Sequence, residues 1–252
     1  EIVKNLRKVM EEVLRPENFC VSYTGERESL DVVKAQAAGI KKVLFHGQKP
    51  ESVKQAPCIK KNEAFKTSGQ VQYVAQNGNF RKKGLEYTGA LEILKVILSY
   101  DYLWINLRVK GGAYGCMSGF KRNGESFLVS YRDPHLKRTL EVYQGVPDYI
   151  RAFEADEREM TKYIIGTISN KDVPRTPQMQ GSISKTAYFS NVTEDMLQKE
   201  RNQILGAQKE DIQKLAALVE AVLSDDQICV VGSETAIEKA EDVFMEVKPL
   251  IG

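Results

Sequence analysis

The sequence is poor in the residues that build metal and nucleophile sites. It has only two histidines in 252 residues, His46 and His135, and neither lies in an H-x-x-E-H or H-E-x-x-H pattern. A zinc site needs a cluster of histidine, cysteine and carboxylate ligands, so we expect no metal ligands in this chain. The sequence also has no G-x-S-x-G pattern, so the turn that presents a catalytic serine in α/β-hydrolases is not expected.

Long apolar runs and a strong charge of one sign are missing as well. No apolar run approaches the ~20 residues that span a bilayer, and the amphipathic first helix lacks the apolar core of a signal peptide. The 36 basic and 34 acidic residues leave a formal net charge of +2. This balance gives no reason to expect a nucleic-acid or membrane partner.

The four cysteines are widely spaced and none forms a C-x-x-C pair. We interpret them as free thiols of a reducing compartment, with Cys20 and Cys229 inside apolar strands. A disulfide is the alternative that the sequence leaves open.

The first part of the chain alternates between helical and extended patterns. Apolar spacing predicts helices over residues 2–14 and 28–45, and the run "NFCVSYTG" between them predicts a strand over 18–25. Residues 46–69 contain two prolines and many polar residues without periodicity, which indicates a linker or long loop.

The second part of the chain has the pattern of a domain that contains both helices and strands. The pattern predicts a strand at "QVQYVAQNG", a long and mostly buried helix over 86–107, and a hairpin in which "KRNG" is the turn, since Asn123 and Gly124 tolerate positive φ. Helices follow over 136–153, 156–169, 178–189, 193–204 and 208–223, then a strand over 227–232 and a helix over 234–247. We therefore predict an α+β fold: a two-layer domain with a mixed, mostly antiparallel sheet covered by helices on one face.

A short internal similarity suggests how the chain is divided. Residues 11–21, "EEVLRPENFCV", resemble residues 220–230, "EAVLSDDQICV", at a constant offset of 209. If this is a repeat, residues 1–46 are the tail of a preceding homologous domain. Residues 47–68 are then a linker, and 69–252 a complete αβ domain.

The stretch "LWINLRVKGGAYG" carries the most specific chemistry. Its glycines close a helix, whereas a dinucleotide-binding fingerprint opens one, and no Lys-Ser or Lys-Thr follows as in a P-loop. Gly111 and Gly112 can end the helix and turn the chain, which brings Tyr114 back toward Arg108. Two such donors suit an oxygen that gains negative charge. The alternative is that Arg108 only stabilises the helix end and Tyr114 is an ordinary strand residue.

The same stretch, followed by a glycine-bearing strand, "SYRDP" and a long helix, resembles the C-terminal domain of the pitrilysin/insulinase superfamily of zinc peptidases, in particular the presequence-protease subfamily. The resemblance implies a large enzyme of four homologous αβ domains, whose two halves close around a peptide. The first half carries zinc on an H-x-x-E-H motif and a distal Glu. The last domain donates an Arg and a Tyr to the substrate, and these match Arg108 and Tyr114 here.

On this resemblance the chain is the C-terminal, non-zinc part of a zinc metalloendopeptidase, with no catalytic residue and no metal ligand of its own. Its partners are the peptide substrate and the N-terminal half, which holds the zinc, and no nucleic acid or membrane. The alternative is a non-peptidase scaffold or binding subunit of the same superfamily, and a nucleotide-binding module is the third reading. The expected location is the bacterial cytoplasm, with an organellar matrix as the alternative.

The absence of clustered ligands predicts that the chain by itself binds no stoichiometric zinc and cleaves no peptide. Elemental analysis of the purified chain, beside a peptide-cleavage assay, checks this. A content of about one tightly held zinc per chain would contradict it, since a site of that kind needs three or four protein ligands.

Overall fold

The computed structural model describes residues 1–48, 59 and 61–251. The contacts among them define two compact units. One falls within Glu1–Cys58 and Pro174–Thr193, and the other within Ile59–Val173 and Glu194–Gly252. None of the helices in the described residues combines the length and the apolar composition that a membrane crossing requires.

Helices and strands occupy the following ranges. The α-helices are α1 (Ile2–Val13), α2 (Leu30–Val43), α3 (Ala90–Ile97), α4 (Lys137–Gln144), α5 (Val146–Arg151), α6 (Glu157–Lys171), α7 (Pro177–Phe189), α8 (Glu194–Leu205), α9 (Lys209–Gln213), α10 (Ala216–Leu223) and α11 (Glu234–Glu238). The strands are β1 (Glu63–Thr67), β2 (Gln72–Asn79), β3 (Gly115–Phe120), β4 (Glu125–Asp133), β5 (Gln227–Ser233) and β6 (Glu246–Pro249).

The second unit is built on one six-stranded sheet in the order β3-β4-β2-β5-β1-β6. Strands β3, β4, β2 and β5 pair antiparallel in that order, whereas β5, β1 and β6 pair parallel. Burial alternates along β2 and β5, so one face of the sheet points into the core. Helices α3, α4 and α10 contact the sheet. The predicted α+β class with a mixed, mostly antiparallel sheet is confirmed.

A buried carboxylate connects the hairpin of β3 and β4 to the helices. Glu200 of α8 is only 4% exposed and accepts hydrogen bonds from Arg122, in the hairpin turn, and from Lys171, at the end of α6. The predicted hairpin is present, and Gly124 has a φ of 90°. Asn123 tolerates a positive φ but does not adopt one, because the turn closes from Lys121 to Gly124 and only its last residue is left-handed.

In the first unit the helices are as predicted but the strand is not. Residues 19–25 have irregular backbone, and Cys20 is exposed there rather than inside a strand. A strand is stable only when a neighbour pairs with it, and the described residues of this unit contain no other strand. The matching region 227–233 does form β5 because β1 and β2 flank it. The similarity of the two regions therefore extends to the helix but not to the strand.

The predicted linker over 47–68 is wrong where β1 lies. Residues 49–58 and 60 lie outside the described residues, but Glu63–Thr67 is a strand between β5 and β6. The predicted helix over 234–247 is also too long, because α11 ends at Glu238 and Glu246–Pro249 forms β6. Both short strands are recognisable only through their partners, since only Ala64 among their residues is fully buried. The sheet of this domain thus begins at Glu63, before the predicted boundary at residue 69.

Two isoleucines, one at the end of α3 and one in the helical segment that follows it, should contribute differently to stability. Ile97 is fully buried, whereas Ile105 is 41% exposed. We expect Ile97→Ala to lower the free energy of unfolding by about 2–5 kcal/mol, through lost burial and a residual cavity. Ile105→Ala is the control and should cost less than about 1 kcal/mol. Denaturant unfolding of both variants checks this. Equal losses in the free energy of unfolding would contradict the difference in burial between the two isoleucines.

Candidate functional site

The helical stretch that begins with α3 widens before it ends. Residues Leu98–Tyr102 and Trp104–Val109 are π-helical, and the amide of Lys110 donates to the carbonyl of Ile105, five residues earlier, at 2.9 Å. A π-bulge of this kind is frequent at functional sites. The helix that we predicted over 86–107 begins at Ala90 rather than at residue 86.

Two glycines end the stretch. Gly112 has a φ of 79°, and its amide donates to the carbonyl of Arg108 at 2.9 Å, which is the αL form of a helix C-cap. A side chain on Gly111 has no room, because a Cβ there would lie 2.5 Å from the carbonyl oxygen of Leu107. The amide of Ala113 then donates to that same oxygen at 2.9 Å. These contacts turn the chain directly from the helix into β3.

The turn brings the two predicted site residues, Arg108 and Tyr114, together. The guanidinium Nη1 of Arg108 donates a hydrogen bond to the carbonyl of Tyr114, and its Cζ lies 5.5 Å from the centre of the Tyr114 ring. Tyr114 is 57% exposed and immediately precedes β3, an edge strand of the sheet. Within the described residues no protein group is hydrogen-bonded to its hydroxyl.

Sequence reasoning missed three further side chains at this place. The Arg108 guanidinium also lies over the Trp104 ring, with its Cζ 4.7 Å from the ring centre. The Tyr131 ring centre lies 5.5 Å from that of Tyr114, and the Arg132 guanidinium lies 5.5 Å from the Tyr114 ring. Trp104 could have been found from its spacing, since it lies one helical turn before Arg108. The other two come from β4, opposite in the sheet.

The segment "SYRDP" makes the corner that follows the site. The Asp133 carboxylate is buried, and it accepts hydrogen bonds from the Thr139 hydroxyl at 2.7 Å and from the His135 amide at 2.9 Å. These bonds hold the end of β4 to the beginning of α4. The corner fixes the strand that contacts Tyr114 from the opposite side.

The nearby cysteine is not a nucleophile of the kind that thiol enzymes use. Burial raises the pKa of the Cys116 thiol to about 11, more than the neighbouring Arg108 charge lowers it. The thiol is therefore protonated near neutral pH, whereas a reactive cysteine has a lowered pKa. Among residues 1–48, 59 and 61–251 there is also no group of three His, Cys, Asp or Glu side chains that could hold a metal ion.

Comparison with known proteins identifies the family. The family profile described as the PreP C-terminal domain matches residues 62–234. The chain belongs to the PreP C-terminal domain family. This confirms the resemblance to the pitrilysin/insulinase superfamily of peptidases.

Two curated relatives show how similar this chain is to known proteins and how much of each protein it covers. The protein HypA of Clostridium perfringens is 42% identical over 250 residues, covering 99% of this chain and 26% of that protein. Presequence protease 1, chloroplastic/mitochondrial, of Arabidopsis thaliana is 34% identical over 192 residues, covering 75% of this chain and 18% of that protein. The chain thus spans about a quarter, or less, of these relatives.

Solved structures share the fold of this PreP C-terminal domain. The peptidase M16 inactive domain from Pseudomonas fluorescens has a TM-score of 0.54 at 19% identity, over 81% of this chain and 51% of that one. Pitrilysin has a TM-score of 0.50 at 15% identity, over 91% of this chain and 30% of that one. At such identities the likeness concerns the fold.

Proposed function

We propose that this chain is the C-terminal, non-zinc part of a zinc metalloendopeptidase that degrades peptides in a closed chamber. Arg108 and Tyr114 then bind the carbonyl of the peptide. The observation that carries the proposal is their position side by side at the beginning of an edge strand, with the Tyr114 ring exposed. Membership of the PreP C-terminal domain family and the presequence protease among its relatives support it.

The zinc of this proposal belongs to the N-terminal half of the parent protein. The described residues of this chain contain no group of three His, Cys, Asp or Glu side chains that could hold a metal ion, and in this proposal the chain's own residues act on the substrate. By itself the chain is inactive, and the N-terminal half and the peptide substrate are its partners. The expected location remains the bacterial cytoplasm or an organellar matrix.

This chain's own contribution is to stabilise the negative charge that develops on the carbonyl oxygen. When a peptide carbonyl is attacked, its oxygen becomes negative, and donors that point at it lower the barrier. Arg108 brings a permanent charge and several N–H donors, of which one is used by the carbonyl of Tyr114. Tyr114 brings one phenolic donor. The capped helix end and the edge strand hold both side chains in place before substrate arrives, which reduces the entropy lost in the reaction.

A second candidate is a scaffold or binding subunit of the same superfamily that does not cleave peptides. The solved relative from Pseudomonas fluorescens is named as an inactive domain, which fits either a non-zinc partner domain or such a subunit. The sequence of the full-length protein distinguishes them. An H-x-x-E-H motif upstream of this chain favours the peptidase, and its absence favours the scaffold.

In the full-length protein we expect Tyr114→Phe to reduce kcat/KM by about 10²–10³, the usual loss for one oxyanion donor. The free energy of unfolding should change by less than about 1 kcal/mol, because the exposed phenol has no buried partner to lose. The measurement is peptide-cleavage kinetics beside the thermal midpoint. If the phenol only holds substrate, the loss appears in KM with kcat little changed.

Tyr100→Phe is the matched control, since Tyr100 lies in the helical stretch that leads to Arg108 and is 72% exposed. It should leave kcat/KM unchanged. Unchanged turnover in Tyr114→Phe, or turnover lost only in step with unfolding, would leave Tyr114 as an ordinary strand residue.

A further inference from the structure

Strand β4 has a bulge beside the candidate site. In its pairing with β2, Ser130 lies opposite Val74 and Asp133 lies opposite Gln72, with a shift of register between them. Two residues of β4, Tyr131 and Arg132, therefore face one residue of β2. Bulges are over-represented near active sites, where they redirect a side chain.

The bulge also places Arg132 in an unfavourable backbone conformation, with a φ of 50°. The other non-glycine residues with positive φ in the described residues are Asn191 and Asp226. Asn and Asp tolerate the left-handed region, because their short polar side chains hydrogen-bond locally. Arginine has no such compensation. A strained residue of this kind persists where surrounding contacts hold it, and such residues cluster at functional sites.

The backbone and the side chain of Arg132 both contact Tyr114. Its carbonyl accepts a hydrogen bond from the Tyr114 amide at 3.3 Å, and its guanidinium lies 5.5 Å from the centre of the Tyr114 ring. Arg132 is exposed, and within the described residues its guanidinium forms no ion pair with a carboxylate. The neighbouring carboxylate of Asp133 instead bonds His135 and Thr139. The strained conformation thus leaves the Arg132 guanidinium beside the Tyr114 ring.

We propose that Arg132 is a positioning residue for Tyr114. Its guanidinium and that of Arg108 each lie over the phenol ring, an attraction between a cation and the π-electrons, and together they hold the ring so that its hydroxyl faces the substrate carbonyl. This inference rests on the proposed function, since it assigns Arg132 a role only through Tyr114. Arginine suits the role better than lysine, because its planar group stacks on an aromatic face.

The test is a double-mutant cycle in the full-length protein, with peptide-cleavage kinetics as the readout. We expect Arg132→Gln to reduce kcat by roughly tenfold, since a small misplacement of a substrate-binding group has effects of this order or larger. In a Tyr114→Ala background the same change should cause no further loss. Arg132→Lys should recover only part of the activity. Arg158→Gln, which removes an exposed arginine from α6, is the control for charge alone and should have no effect.

A further variant separates positioning from stability. Arg132→Gly removes the guanidinium and also relieves the left-handed strain, so its thermal midpoint should equal or exceed that of the parent while kcat falls as in Arg132→Gln. An equal loss from Arg132→Gln with and without the Tyr114 side chain would overturn the inference, because Arg132 would then act independently. Normal kcat in both Arg132 variants, with Tyr114→Phe impaired, would overturn it and leave the proposed function standing. A Tyr114→Phe protein of normal activity would overturn the proposed function itself.

Discussion

The turn at Gly111 and Gly112 is the constraint on which the site depends. The bond from the Gly112 amide to the Arg108 carbonyl needs a left-handed residue, and the crowding at Gly111 needs the absence of a Cβ. Buried Leu107 and Ala113 on either side fix the turn to the core. A longer or looser connection would let the last helical turn and the edge strand move independently. Two glycines therefore decide that Arg108 and Tyr114 are neighbours.

The surrounding fold supplies the rigidity that this turn requires. The side of α3 that packs on the sheet and on α6 and α8 is buried, so the stretch that carries Arg108 begins from a fixed helix. The hairpin of β3 and β4 is held at its other end by the buried Glu200 carboxylate and Arg122. The candidate site is thus exposed but lies between two fixed elements, the arrangement that preorganised donors need.

Much of this could be predicted from the sequence, and the failures have a common cause. The periodicity of α1, α6 and α8 and the motif around Arg108 are local signals, and the structure contains these elements. Strand β1 could not be predicted because its parallel partners lie far away in sequence. Residues 19–25 have β-propensity but form no strand, because no other strand among the described residues pairs with them. The contact of Arg132 with Tyr114 was missed because it depends on a bulge, and the register that creates the bulge is set across the sheet.

The chain belongs to the PreP C-terminal domain family, and its sequence contains no H-x-x-E-H motif. In the function proposed above, the N-terminal half of the parent protein holds the metal and this chain supplies the donors to the carbonyl. The most direct test is a structure of the full-length protein with an uncleaved peptide bound. The account predicts one peptide carbonyl oxygen within about 2.7–3.2 Å of both an Arg108 nitrogen and the Tyr114 hydroxyl, adjacent to the zinc. A bound peptide whose carbonyl at the zinc is contacted by neither side chain would contradict the account.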